Sequence, residues 1–129
     1  MTPAAVLVLM HALAPHTPDA RIAPIAEAIA GVAADDREAA ELVVLSFVET
    51  TFGRAGKPMG LSCCYRRGMT IGDAVARAAA LLRDSRAACG ASTSRRMGFY
   101  RTGRRVADGE SDRRERMVRR VARVALRRE

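Results

Sequence analysis

Tryptophan is absent from this chain of 129 residues, and aromatic residues make up only 4% of it. A core without large rings has to be filled by aliphatic side chains, so Ala, Val, Leu, Ile and Met must supply most of the 49% hydrophobic fraction. The apolar/polar alternation of half-buried strands is also missing, which directs this Ala- and Leu-rich composition to helices. Histidine occurs only at His11 and His16, and cysteine only at Cys63, Cys64 and Cys89. This set lacks the spacing of a zinc framework, and no metal or other cofactor is expected. A disulfide from Cys64, or from its neighbour Cys63, to Cys89 would pin the segment after residue 49 to a later helix end. Free buried thiols in a reducing compartment are the other reading.

Lysine is nearly missing as well. Lys57 is the only one, so the formal net charge of +8 is carried by arginine. A positive balance suits anionic partners such as nucleic acid, anionic lipid or a cell-wall polymer, without choosing among them. No apolar run is long enough to cross a bilayer. The stretch from Ala4 to Ala14 lacks a preceding basic region and is followed by Pro15, so it reads as a first helix opened by Thr2-Pro3 and not as a clear signal peptide. Internal repeats, heptads and long disordered tracts are absent too. The length fits one domain over residues 1–129, burying roughly two thirds of the surface that its unfolded chain exposes.

What is present is helical periodicity. Ile22, Ile25, Ala26, Ile29 and Val32 mark one face of a second helix, with Pro15, Pro18 and Pro24 before it or in its first turn. Asp35 and Asp36 can cap a third helix, to which Glu38 adds first-turn negative charge. That helix is apolar on nearly all sides after Glu41, the pattern of a buried central element. Thr70-Ile71-Gly72-Asp73 fits a capping box for a fourth helix, with Ile71, Val75, Ala78 and Leu82 on its face and an end near Cys89-Gly90. Ser94 is the expected cap of a short helix through Tyr100, closed by Gly103, and residues 108–112 read as a turn. A last helix, within residues 104–129, places Met117, Val121, Val124 and Ala125 on one face and arginines elsewhere.

Glu49 stands out. It is the single acid at the end of the apolar stretch Leu42-Val43-Val44-Leu45-Ser46-Phe47-Val48, and the helical pattern breaks at Thr50-Thr51-Phe52-Gly53. A carboxylate carried out of a buried helix into a loop is poorly solvated, which should raise its pKa, as a general acid needs near neutral pH. An ordinary ion pair with an arginine such as Arg54 or Arg66 is the alternative.

Three segments, in order, carry a family resemblance. Glu49-Thr50-Thr51-Phe52 looks like Glu-Ser-x-Phe, Gly60-Leu61-Ser62 stands where Gly-Leu-Met-Gln would line a cleft, and Phe99-Tyr100-Arg101-Thr102-Gly103 is similar to Ala-Tyr-Asn-x-Gly. Over residues 37–103 the chain thereby resembles the lysozyme-like soluble lytic transglycosylases, a family that includes the goose-type lysozymes. Thr50 replaces the motif's Ser, Cys63 stands at the place of its Gln, and Arg101 replaces its Asn.

The resemblance implies an all-α, lysozyme-like domain around a buried central helix. It would cleave the β-1,4 bond between N-acetylmuramic acid and N-acetylglucosamine in peptidoglycan. Glu49 would be the catalytic acid, and Thr50, Gly60, Leu61, Ser62 and Tyr100 would contact the glycan. No second carboxylate is placed for the usual two-acid scheme. The resemblance implies instead that the substrate's N-acetyl group assists departure, after which Glu49 takes a proton from the C6 hydroxyl to leave an anhydro-muramyl end. Peptidoglycan strands are the expected partner, with virion or secretion-apparatus proteins beside them and no specific nucleic acid. The expected location is the cell envelope, the periplasm or a virion. Two alternatives stand beside this reading: an inactive structural or peptidoglycan-binding protein of the same fold, and a small basic helical protein that binds nucleic acid.

Overall fold

Among the residues that the computed structural model describes (1–52, 59, 69–90, 92–102 and 108–127), the chain forms six helices and no strand. They are α1 (Pro3–Leu13), α2 (Asp19–Val32), α3 (Asp36–Thr50), α4 (Ile71–Cys89), α5 (Thr93–Thr102) and α6 (Gly109–Leu126). The expected all-α class is what the chain adopts.

The helix starts follow from side chains that reach the first unpaired N–H groups. Thr2 accepts from Ala5 N at 3.1 Å, with Pro3 in the first helical position. Asp35 accepts from Glu38 N at 2.8 Å. Thr70 and Asp73 form the expected capping box, each side chain taking the other's backbone N–H at 3.0 and 3.1 Å. Gly90 then ends α4 at φ 68°, a left-handed value that a Cβ would strain.

Three local readings are corrected. The hydroxyl that caps α5 belongs to Ser92, which accepts from Arg95 N at 3.3 Å, two positions ahead of Ser94. Residues 108–112 are no free turn. Asp108 accepts from Ser111 N at 2.9 Å as the cap of α6, and Glu110 and Asp112 place negative charge in its first turn, where the helix dipole favours it. Pro24 lies inside α2, in its second turn. Its missing N–H leaves the Ala20 carbonyl, on the exposed side, to solvent.

α3 is the spine. It packs against α1, α2, α4 and α6. Ala39, Ala40, Leu42, Val43, Val44 and Leu45 are fully buried on it, as its apolar circumference requires. Ile22, Ile25, Ala26 and Ile29 of α2, Val75, Ala78 and Leu82 of α4, and Val118, Val121 and Ala125 of α6 complete the aliphatic core. Each large aliphatic side chain removed from water this way contributes about 1.5–3 kcal/mol.

The spine also carries acids. Glu38 pairs with Arg83 of α4 at 2.7 Å, Glu41 with Arg96 of α5 at 3.0 Å, and Glu49 with Arg114 of α6 at 2.7 Å. At 3.6 residues per turn these three acids fall within an arc of about 80° on one side of α3. One stripe of the central helix is therefore latched by charge to three different helices. None of the described helices is long and apolar enough to cross a membrane.

Candidate functional site

The end of α3 is built by a turn that the residues do not favour intrinsically. Thr51 N donates to Phe47 O at 2.8 Å and Phe52 N to Ser46 O at 2.9 Å, the wrapping pattern that closes a helix through left-handed residues. Glycine usually takes that conformation, yet here it falls on Thr51 at φ 52° and Phe52 at φ 55°. For a non-glycine residue this costs about 1–2 kcal/mol. Two contacts hold it in place. Phe52 is buried with its ring 5.4 Å from that of Phe47, and Arg21 of α2 donates to the Thr51 carbonyl at 2.7 Å. Persistent strain of this kind concentrates where surrounding structure fixes a functional geometry.

Glu49 sits just before this turn, with its side chain 22% exposed. Its Oε1 accepts from Arg114 Nη1 at 2.7 Å, and Arg114 Nε donates to Glu110 Oε1 at 3.0 Å. Glu110 in turn receives both ends of the Arg113 guanidinium, at 3.0 and 2.8 Å. The hydrogen bonds from Arg113 hold the Glu110 carboxyl down at about 2. Two carboxylates and two guanidiniums thus balance within one array. The surroundings of Glu49 differ from the expected apolar, poorly solvated loop: a buried guanidinium meets one oxygen, and Oε2 has no hydrogen-bond partner among the described residues. Arg54 and Arg66 lie outside those residues. The partner that sequence reasoning missed is Arg114. Its signal was there, because position 114 shares a helical face with the apolar positions 118, 121 and 125, all of them buried.

Tyr100 projects from α5, and its hydroxyl donates to the Met59 carbonyl at 2.8 Å. This bond ties α5 to the segment that follows α3, and Met59 itself is fully buried. The tyrosine thereby anchors the backbone at Met59. Thr50 occupies the last position of α3. Gly60, Leu61, Ser62 and Cys64 fall outside the described residues, so the structure brings together only part of the expected set. Cys89, at the end of α4, is a half-buried free thiol. Among the described residues no group of three His, Cys, Asp or Glu side chains is placed to hold a metal ion.

Compared with protein-family models, curated proteins and solved structures, the chain matches none.

Proposed function

We propose that this chain is a peptidoglycan-cleaving lytic transglycosylase or muramidase with Glu49 as its general acid. One observation carries the reading: a partly exposed carboxyl at the end of the buried central helix, with one oxygen unengaged among the described residues, directly before a strained and externally braced turn. A carboxyl at such a position is fixed by the core and still accessible to a substrate. Glu49 would protonate the glycosidic oxygen while the neighbouring N-acetyl group assists departure. The resulting carboxylate would then accept a proton from the C6 hydroxyl, giving an anhydro end, or from water in a hydrolase. Tyr100 supports the reading by anchoring the segment at Met59. The basic surface suits an anionic wall polymer, and delivery by a virion or secretion apparatus fits a small domain of this kind.

A second reading rests on the repeated latch. Glu49 is the third acid of one α3 stripe, and all three hold arginines of other helices. On this view Glu49 is architectural, and the protein binds peptidoglycan or serves in an assembly without cutting.

Incubation of purified peptidoglycan with wild type and Glu49→Gln separates the two. Release of soluble muropeptides by the wild type, with a loss of about 100-fold or more in Glu49→Gln at unchanged folding, supports catalysis. Fragments lighter by one water identify the transglycosylase. A wild type that releases nothing at any pH, or a Glu49→Gln variant that keeps full activity, overturns the enzyme reading.

A further inference from the structure

At the opposite end of α3 from Glu49 lies a second polar site. Fourteen positions separate Asp35 from Glu49, about 20 Å at the helical rise per residue. Here the N-terminal ends of α3 and α5 meet the C-terminal end of α4 around an open cleft of about 550 Å³. It is lined by Asp35, Arg37, Arg86, Gly90, Thr93 and Arg96. Three guanidiniums in one cleft repel one another unless anions compensate; among the described residues the acid lining the cleft is Asp35, and Glu41 is the acid on which all three arginines act. Asp35 is already committed to the backbone of Glu38 as a helix cap. Glu41 is buried behind the cleft, where it accepts from Arg96 Nη2 at 3.1 Å. Among these residues one positive charge is left over.

The donors are also incompletely used. Arg96 is 3% exposed, and its buried Nε has no hydrogen-bond partner among the described residues. The Arg86 side chain is exposed and makes no hydrogen bond or ion pair among the described residues. Arg37 reaches across from α3 to the Thr93 hydroxyl at 2.5 Å, holding a cation and a hydroxyl side by side. All three guanidiniums lie close enough to act electrostatically on Glu41, whose carboxyl burial pushes up and whose charge they support. Leaving a buried guanidinium donor unmade is costly, so an acceptor is expected there.

We propose that this cleft is a binding site for a phosphoryl group. A phosphate offers several acceptor oxygens in different directions, which matches guanidiniums converging from three helices, whereas a carboxylate satisfies a single fork. Thr93 also places the N-terminal end of α5, the favourable end of the helix dipole for an anion, at the cleft. The site is independent of Glu49 and of the proposed glycan cleavage.

The test is calorimetric titration of the full chain with inorganic phosphate and, at matched ionic strength, with acetate and chloride. It is repeated on Arg86→Gln and Arg37→Gln, with Glu49→Gln as a control at the far end of α3. Saturable phosphate binding is expected for wild type and Glu49→Gln, weaker by about tenfold or more in the two arginine variants. The Arg86 side chain is exposed and makes no ion pair among the described residues, so Arg86→Gln should keep the wild-type melting temperature without phosphate. Titration with a sugar phosphate distinguishes an esterified ligand, which binds more tightly than the free anion, from a site for phosphate itself, which does not. Phosphate binding no stronger than acetate binding, or binding unchanged in a folded Arg86→Gln variant, overturns the proposal.

Discussion

Arg114 Nη1 lies 2.7 Å from Glu49 Oε1, joining α6 to the end of α3 across 65 positions of chain. The arginine is nearly buried and the acid half-buried, so neither partner is fully replaced by water if the other is lost. Arg114→Ala should therefore lower stability by about 2–4 kcal/mol, through the unpaired acid and the lost packing of the arginine stem. Glu49→Gln keeps an acceptor at the same position and should cost about 1 kcal/mol. Urea unfolding of both variants measures this. An unchanged midpoint in Arg114→Ala would show that the latch contributes nothing to stability.

The Glu41–Arg96 pair is deeper, with both side chains at 3% exposure or less. Arg96→Met alone strands a buried carboxyl and should destabilise by about 3–5 kcal/mol, whereas Glu41→Leu with Arg96→Met should stand close to wild type. A double-mutant cycle gives the coupling directly. The pH dependence has a definite sign. Burial raises the folded pKa of Glu41, so its contribution is present below the ordinary glutamate value and is lost as pH rises through the raised one. Glu41→Gln lacks that loss, so its stability relative to wild type should improve as pH rises from about 4.5. A constant difference across pH would contradict it.

His11, at the end of α1, meets Asp19 at the start of α2 at 2.5 Å, and its second ring nitrogen faces the Ala14 carbonyl at 3.3 Å. The bond to Asp19 raises the His11 pKa. A raised folded pKa means stability that is fully present below the unfolded value of about 6.5 and is lost as pH rises through the folded one. The site is open to solvent, so the effect should be a few tenths of a kcal/mol. Melting curves on both sides of that window, for wild type and His11→Asn, should show the drop in the wild type only.

Thr51 adopts the left-handed conformation with a β-branched side chain. Thr51→Gly should relieve about 1 kcal/mol of local strain, partly offset by the greater freedom of glycine in the unfolded chain. A net rise in melting temperature checks the strain. A fall of several degrees would mean that the Thr51 side chain makes a stabilising contact outweighing it.

Helix positions were largely legible because they depend on neighbours in sequence. Thr2-Pro3, Asp35 and the Thr70/Asp73 box mark three starts by chemistry that acts within a few residues. The misplaced features fail at the same range by competition. Ser92 and Ser94 are both able caps by residue type, and it is Ser92 that accepts a first-turn N–H of α5. Asp108 reads equally well as turn or cap until the apolar stripe behind it has a surface to meet. In the candidate site, Glu49 was legible as the single acid closing the apolar stretch 42–48 of α3. Arg114 was less so, because an arginine among arginines reads as surface.

The sequence by itself determined an all-helical chain, its aliphatic core and the apolar character of α3, since periodicity and composition act locally and add along the chain. Only the tertiary structure decided that the acids on one side of α3 meet Arg83, Arg96 and Arg114 from three other helices, and that a turn of non-glycine residues is braced by Arg21. Charge pairing over such separations is not written in local pattern. It depends on which helices the shared core brings together.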